Sequence, residues 1–137
     1  MVSGRIAIEP LRALEPAPAR RGFRLAPPDG IGTADSGAIF DVPAAQLWQA
    51  WLTVAARQPR TRLIALDADR HRSVHVQHSR LFRFRDRVRA EIVKLGHNRC
   101  CLTLDSRALL GYYDLGVNRC RVLTWVAELQ QELHGPA

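Results

Sequence analysis

Between residues 85 and 107 the chain alternates with a period of two, twice over, and no other feature narrows the fold so far. Asp86, Val88, Ala90 and Ile92 fall on one side of an extended chain, with Arg85, Arg87, Arg89 and Glu91 on the other. After a short break Cys100, Leu102 and Leu104 repeat the apolar side, and Thr103, Asp105 and Arg107 alternate with them. Two such runs divided by Gly96-His97-Asn98 read as an antiparallel hairpin. A two-residue loop would set Ile92 opposite Cys101 and mix the faces. A three-residue loop pairs Ile92 with Leu102, Ala90 with Leu104 and Arg89 with Asp105, the last a favourable cross-strand pair. A slip of one residue moves every side chain across the sheet, so the second register is the one expected.

The flanking segments supply two helices and more strands. Gly37-Ala38-Ile39-Phe40 is a short strand, followed by Asp41 as an N-cap and Pro43 at an early helical position, where its missing N–H does no harm. Leu47, Trp48, Trp51, Leu52 and Ala55 then recur at helical spacing to about Arg57, and Pro59 stops the helix. Residues 63–66 and 73–78 flank the turn-rich Asp67-Ala68-Asp69-Arg70 as a first hairpin. If Ile64 and Leu66 share a face with Val76 and Val74, its loop has about three residues. A last helix starts at Asp114, with Val122, Trp125, Val126, Leu129 and Leu133 as its apolar stripe. Arg119, Arg121, Glu128, Gln131 and Glu132 are its wet side, and Gly135-Pro136 is its stop.

The order strand, helix, four strands, helix predicts an α+β domain over residues 37–134. It is a two-layer arrangement, with both helices on one face of a four- to five-stranded antiparallel sheet. Residues 1–36 differ in kind. Pro10, Pro16, Pro18, Pro27 and Pro28 punctuate them and disfavour helix, so they read as an extended N-terminal arm. Ile6, Ile8, Leu11, Leu14, Phe23 and Leu25 are the residues through which that arm would lie across the domain.

Lys plus Arg is 20 against 13 acids, a formal charge of +7, and only Lys94 is a lysine. Arginine forks suit carboxylates and phosphates, so an anionic partner is one reading of this charge and simple solubility is the other. The three cysteines have no CxxC spacing and support neither a disulfide framework nor a zinc site, which fits a reducing compartment. No stretch approaches the apolar length of a membrane span, and residues 1–10 lack the hydrophobic region of a secretory signal. The expected location is cytoplasmic.

Three blocks carry a resemblance: Pro59-Arg60-Thr61, Ser79-Arg80-Leu81-Phe82-Arg83-Phe84 and residues 111–122. Together they resemble the bacterial and plastid group called domain of unknown function 1499, over roughly residues 41–122. Arg80, Phe82, Asp86, Gly111, Asp114, Gly116, Asn118 and Arg121 match the pattern of that family. Leu109 stands where the family tends to have arginine, Tyr113 where it has serine and Arg87 where it has a second acid. There is no counterpart to the family's Asn-Cys-Val-Ser-Ser stretch. The resemblance implies no known biochemistry.

Candidate site residues follow from the blocks and the alternation. Asp114 would cap the last helix, and no second acid, base or metal ligand stands near it in sequence. Asp86 falls on the apolar face of its strand, where a charge is costly unless paired; Arg80, Arg107 and Arg121 are its candidate partners. Arg80, Asp86, Asp114, Asn118 and Arg121 are therefore the candidates for a ligand or interaction site. Arg83, Arg85, Arg87 and Arg89, on one strand face, are the candidates for an anionic partner. Single-strand binders interleave aromatics with such a face, and here Phe82 and Phe84 have the opposite parity. His71 and His75 stand four residues apart on a strand, about 13 Å, too far to share an ion. No catalytic residue, metal or cofactor is assigned. The reading is a non-enzymatic module for a small-molecule or protein partner. The alternatives are nucleic-acid or anionic-surface binding through the arginine face and, last, an enzyme using a carboxylate.

Overall fold

The structure is a computed structural model that describes residues 7–15, 21–25, 38–80, 84–109 and 114–135. After a single 3-10 turn at Leu11–Ala13, the elements in chain order are β1 (Gly22–Leu25), β2 (Ala38–Phe40), α1 (Ala44–Arg57), β3 (Thr61–Asp67), β4 (Arg72–His78), β5 (Arg85–Gly96), β6 (Arg99–Ala108) and α2 (Val117–His134). The strands form one antiparallel sheet in the order β1-β6-β5-β4-β3, and β2 pairs with β6 beside β1. β1 lies against Leu104 to Arg107 and β2 against Cys100 to Leu102, so two short segments edge one long strand. This is the α+β arrangement expected, with β1 adding a strand from the proline-punctuated segment.

Both helices cover one face of the sheet. Trp51, Val54, Trp125 and Leu129 from the helices pack on Val88, Ala90, Leu102 and Leu104 from β5 and β6. Full burial of each large apolar side chain contributes about 1.5–3 kcal/mol, so this interface holds the layers together. The Trp51 and Trp125 rings meet at 5.8 Å between centroids. Gln58 ties the end of α1 to α2 by donating to Glu128 Oε2 at 3.0 Å.

The long hairpin has the register expected, with Ile92 opposite Leu102, Ala90 opposite Leu104 and Arg89 opposite Asp105. Its turn is His97-Asn98, and an irregularity between Lys94 and Gly96 absorbs the extra residue. The first hairpin departs further from expectation. The ladder shifts between Leu63 and Ala65, which leaves Leu66 opposite Ser73 and Ala65 opposite Val74. β4 pairs Ser73 with Ala90, His75 with Val88 and Gln77 with Asp86, so these three face the helices and Val74 and Val76 face away from them. The buried indole of Trp51 needs an acceptor and finds Ser73 Oγ at 2.8 Å, which suits this face.

Two helix starts also differ. Asp41 does not cap α1; its side chain is 89% exposed, 3.7 Å from Arg99 Nε. Pro43 takes the cap position in an extended conformation and leaves Asp41 short of the first-turn amides. α2 begins at Val117 rather than Asp114, with Gly116 before it at φ 80°. Arg121, expected on the wet side of this helix, is buried instead.

Candidate functional site

A polar cluster stands where α2 begins, over one end of β4, β5 and β6. Its local cause is the turn before the helix. Leu115 and Gly116 both have positive φ, at 53° and 80°, a conformation that suits glycine and strains leucine. Asp114 holds this turn: Oδ1 accepts the Gly116 N–H at 2.9 Å, and Oδ2 accepts the Asn118 N–H at 3.4 Å and the Asn118 side-chain amide at 2.8 Å. The aspartate thus holds the Gly116 amide just before the helix and one first-turn amide, that of Asn118, from three residues ahead of α2.

Asn118 is fully buried and uses its whole hydrogen-bonding capacity. Its amide donates to Asp114 and to the Arg21 carbonyl at 3.2 Å, while Oδ1 accepts from Ser106 Oγ at 2.7 Å and Arg121 Nη1 at 2.6 Å. One turn on, Arg121 reaches back across the sheet. Nη2 donates to Asp86 Oδ2 at 2.8 Å, Nη1 also donates to Ser106 Oγ at 3.1 Å, and Nε donates to Gln77 Oε1. Gln77 and Ala108 flank Asp86 on neighbouring strands, so α2 is joined to β4, β5 and β6 by one guanidinium. The Asp86 and Arg121 side chains are 5% and 7% exposed, and such a pair holds in low dielectric only because hydrogen bonds satisfy both groups.

The structure therefore brings Asp86, Asp114, Asn118 and Arg121 together, and selects Arg121 from the three partners considered for Asp86. Arg80 lies exposed beyond the end of β4, outside this network. Phe82, Arg83, Gly111 and Tyr113 lie outside the described residues. Gln77 and Ser106 are members that the sequence reading missed. For Ser106 a signal existed, since it shares the parity of Leu102 and Leu104; for Gln77 the apolar parity of Val74 and Val76 pointed to the wrong face of β4.

On the opposite face the arginines have a different use. Arg85 is exposed, while Arg87 and Arg89 are half-buried. Arg89 does stand opposite Asp105, yet the fully buried Asp105 carboxylate is held by Arg24 at 2.9 Å and by Arg107 at 2.7 and 2.6 Å. Arg24 and Arg107 each also donate to the Glu15 carbonyl at 2.8 Å. Arg72 bonds Glu91 at 2.7 Å and the Ile8 carbonyl at 2.6 Å, and Glu91 accepts the Leu11 N–H at 3.1 Å. These charges clamp residues 8–15 onto the sheet.

Two histidines, His71 and His75, serve packing. His75 is buried against the Trp51 edge, and burial pushes its pKa down to about 4. His71 stacks on Trp48, and burial followed by the nearby Lys94 charge lowers its pKa. Among the described residues no three His, Cys, Asp or Glu side chains are grouped to hold a metal ion, and no helix is long and apolar enough to cross a membrane.

The architecture is that of a small α+β domain with two helices gripping one face of an antiparallel sheet. Residues 33–129 match the family described as "Protein of unknown function (DUF1499)", more than half of the chain, and the protein belongs to that family. No curated protein matches it. Two solved structures are similar in fold. One is the di-domain ARO/CYC BexL from the BE-7585A biosynthetic pathway, at TM-score 0.55 and 13% identity, over 83% of this chain and 45% of that one. The other is the Zhui aromatase/cyclase from Streptomyces sp. R1128, at TM-score 0.51 and 12% identity, over 82% of this chain and 93% of that one. A solution structure from Thermobifida fusca matches at TM-score 0.44 and 13% identity, over 64% of this chain and 72% of that one. At these identities the likeness concerns the fold alone.

Proposed function

We propose that this protein is a non-enzymatic binding module that takes a small molecule at the end of the sheet where α2 begins. The observation that carries the reading is the saturation of the Asp114–Asn118–Arg121–Asp86 network. Asn118 makes all four of its bonds within the protein, and Arg121 is held by Gln77, Asp86, Ser106 and Asn118. A catalytic acid or base must exchange its proton with a substrate, whereas groups paired in this way fix geometry. What they fix is the angle of α2 on the sheet, and a rigid framework of this kind is what a binding site built beside it requires. The similarity to aromatase/cyclases supports a ligand-holding fold and carries no activity to this chain.

Native mass spectrometry of the purified chain tests this reading. A stoichiometric adduct retained by the wild type and lost from a folded Arg121→Met variant is the expected result. Bare polypeptide mass across preparations, or adducts that Arg121→Met leaves untouched, would place the function elsewhere. Absorbance at 260 against 280 nm on the same sample separates a small-molecule adduct from nucleic acid, the partner of the second reading.

A further inference from the structure

The back of the sheet, opposite the helices, holds a cavity that the helix-side network does not touch. Residues 7–15 form its roof. The roof is pinned at one end by Arg72 on the Ile8 carbonyl, at 2.6 Å, and at the other by Arg24 and Arg107 on the Glu15 carbonyl, each at 2.8 Å. Between the pins it arches over about 260 Å³, walled mainly by the apolar Ile8, Leu11, Leu14, Ala65 and Val74. Its two charged members are Glu9, on the roof, and Arg89, on the sheet.

Arg89 is in an unusual position for an arginine. It is half-buried, and the acid opposite it in the ladder, Asp105, is already bonded by Arg24 and Arg107. Among the described residues none is hydrogen-bonded to its guanidinium. Its neighbours add positive charge: Arg87 follows on the same face two residues back, and stands directly opposite Arg107 in the ladder. Like charges set opposite one another destabilise a sheet, and the Arg89 nitrogens, which no acceptor among the described residues holds, stay open to solvent and so to an anion. Burial and then the Arg87 charge disfavour the charged form of Arg89, with Asp105 opposing them, Arg107 reinforcing them, and Glu9 on the roof opposing them last. A bound anion would remove this imbalance.

We propose that this cavity binds a small amphiphilic acid, its anionic head (a carboxylate or a phosphate ester) on Arg89 with Arg87 beside it, and its apolar body under the arm against Leu11, Leu14, Ala65 and Val74. The head is what the arginine fork recognises, since guanidinium and these oxyanions match in bidentate geometry. The body is short, because the volume lies just below the roughly 300 Å³ at which drug-sized sites begin. Glu9 is the arm's own competitor for Arg89 and weakens the site from within. The site is on the face opposite the α2 network, so it stands or falls independently of the reading given above.

Titration calorimetry on the full chain, with octanoate, octyl phosphate, octanol and inorganic phosphate as probes, tests the site. Octanoate or octyl phosphate should bind with saturation, and the tighter of the two identifies the head. Octanol, which lacks the charge, and inorganic phosphate, which lacks the body, should each bind roughly tenfold more weakly or worse. Arg89→Gln should lose roughly tenfold in affinity, and Glu9→Gln should bind more tightly than the wild type. Ala65→Leu fills the apolar end and should abolish binding while the melting temperature holds. Octanol binding as well as octanoate, or full affinity in a folded Arg89→Gln, overturns the proposal. If Arg89→Gln does not fold, unchanged affinity in both Glu9→Gln and Ala65→Leu overturns it equally. An oligonucleotide that binds more tightly than every amphiphile, and is lost on changing Arg85 and Arg87 to Ser, would make this face a nucleic-acid site and also overturn it.

Discussion

On one face of the sheet Trp51, Trp125 and Leu129 cover Val88, Leu102 and Leu104, with a buried ion pair at one end; on the other face Leu11 anchors an arm held largely by arginines and acids. The same strands carry both coverings, so the difference lies in what lies on top. A helix pairs its own backbone groups and can offer the sheet nothing but side chains. The arm, with a single 3-10 turn, brings bare N–H and C=O groups that need partners when buried. The back face supplies them. Glu91 and Asp67 accept the Leu11 and Ile8 amides, while Arg24, Arg72 and Arg107 donate to the Glu15 and Ile8 carbonyls. Charged residues from the strands of the sheet are thus the complement of an irregular backbone, and Arg24, Arg72 and Arg107 have a structural use there.

Truncating one anchor on each face is the strongest way to break this contrast. Trp51→Ala should cost about 3–5 kcal/mol of stability by chemical denaturation, because it empties the centre of the helix layer and orphans Ser73. Leu11→Ala should cost less, about 2 kcal/mol, since the arm can lift away and leave the sheet and helices folded. Hydrogen exchange checks it: the Ile8 and Leu11 amides should lose protection while those of β5 keep theirs. Equal losses from the two variants would make the arm part of the main core.

Acid should weaken the helix face through His75. Its folded pKa, about 4, lies below the ordinary value of 6.5, so the unfolded chain takes the proton first. The contribution is complete above about pH 6.5 and is lost as the pH falls toward 4, by up to roughly 3 kcal/mol. Denaturation midpoints measured across that window should drop in the wild type and flatten in His75→Asn. A drop of the same size in both would assign the acid limb to carboxylates instead.

The smallest effect is expected at the start of α2. Asp114→Ala should cost about 1–2 kcal/mol, the loss of a cap. Asp114→Asn should recover only part of that, because its amide can accept the Gly116 N–H but then turns an NH2 toward the Asn118 side chain. Complete recovery by Asn would show that the bond to Asn118 contributes nothing.

Where the chain alternates strictly, local sequence decided the structure. From Arg85 to Arg107 the period of two set which side chains face the helices, and the cost of mixing those faces set the pairing of Ile92 with Leu102. The apolar stripes of α1 and α2 and the acid on the apolar side of β5, with Arg121 among its candidate partners, were legible for the same reason. Burial is written into periodicity, and an unpaired charge on a buried face is a contradiction that demands a partner. The facing of β4, the choice of Arg121 over Arg80 and Arg107, and the holding of Asp105 by Arg24 from 81 residues away were decided by tertiary structure. Each depends on a distance between segments remote in the chain. A shift of one residue between β4 and β5, or the angle at which α2 crosses the sheet, changes which polar groups meet, and hydrogen bonds tolerate only a few tenths of an ångström.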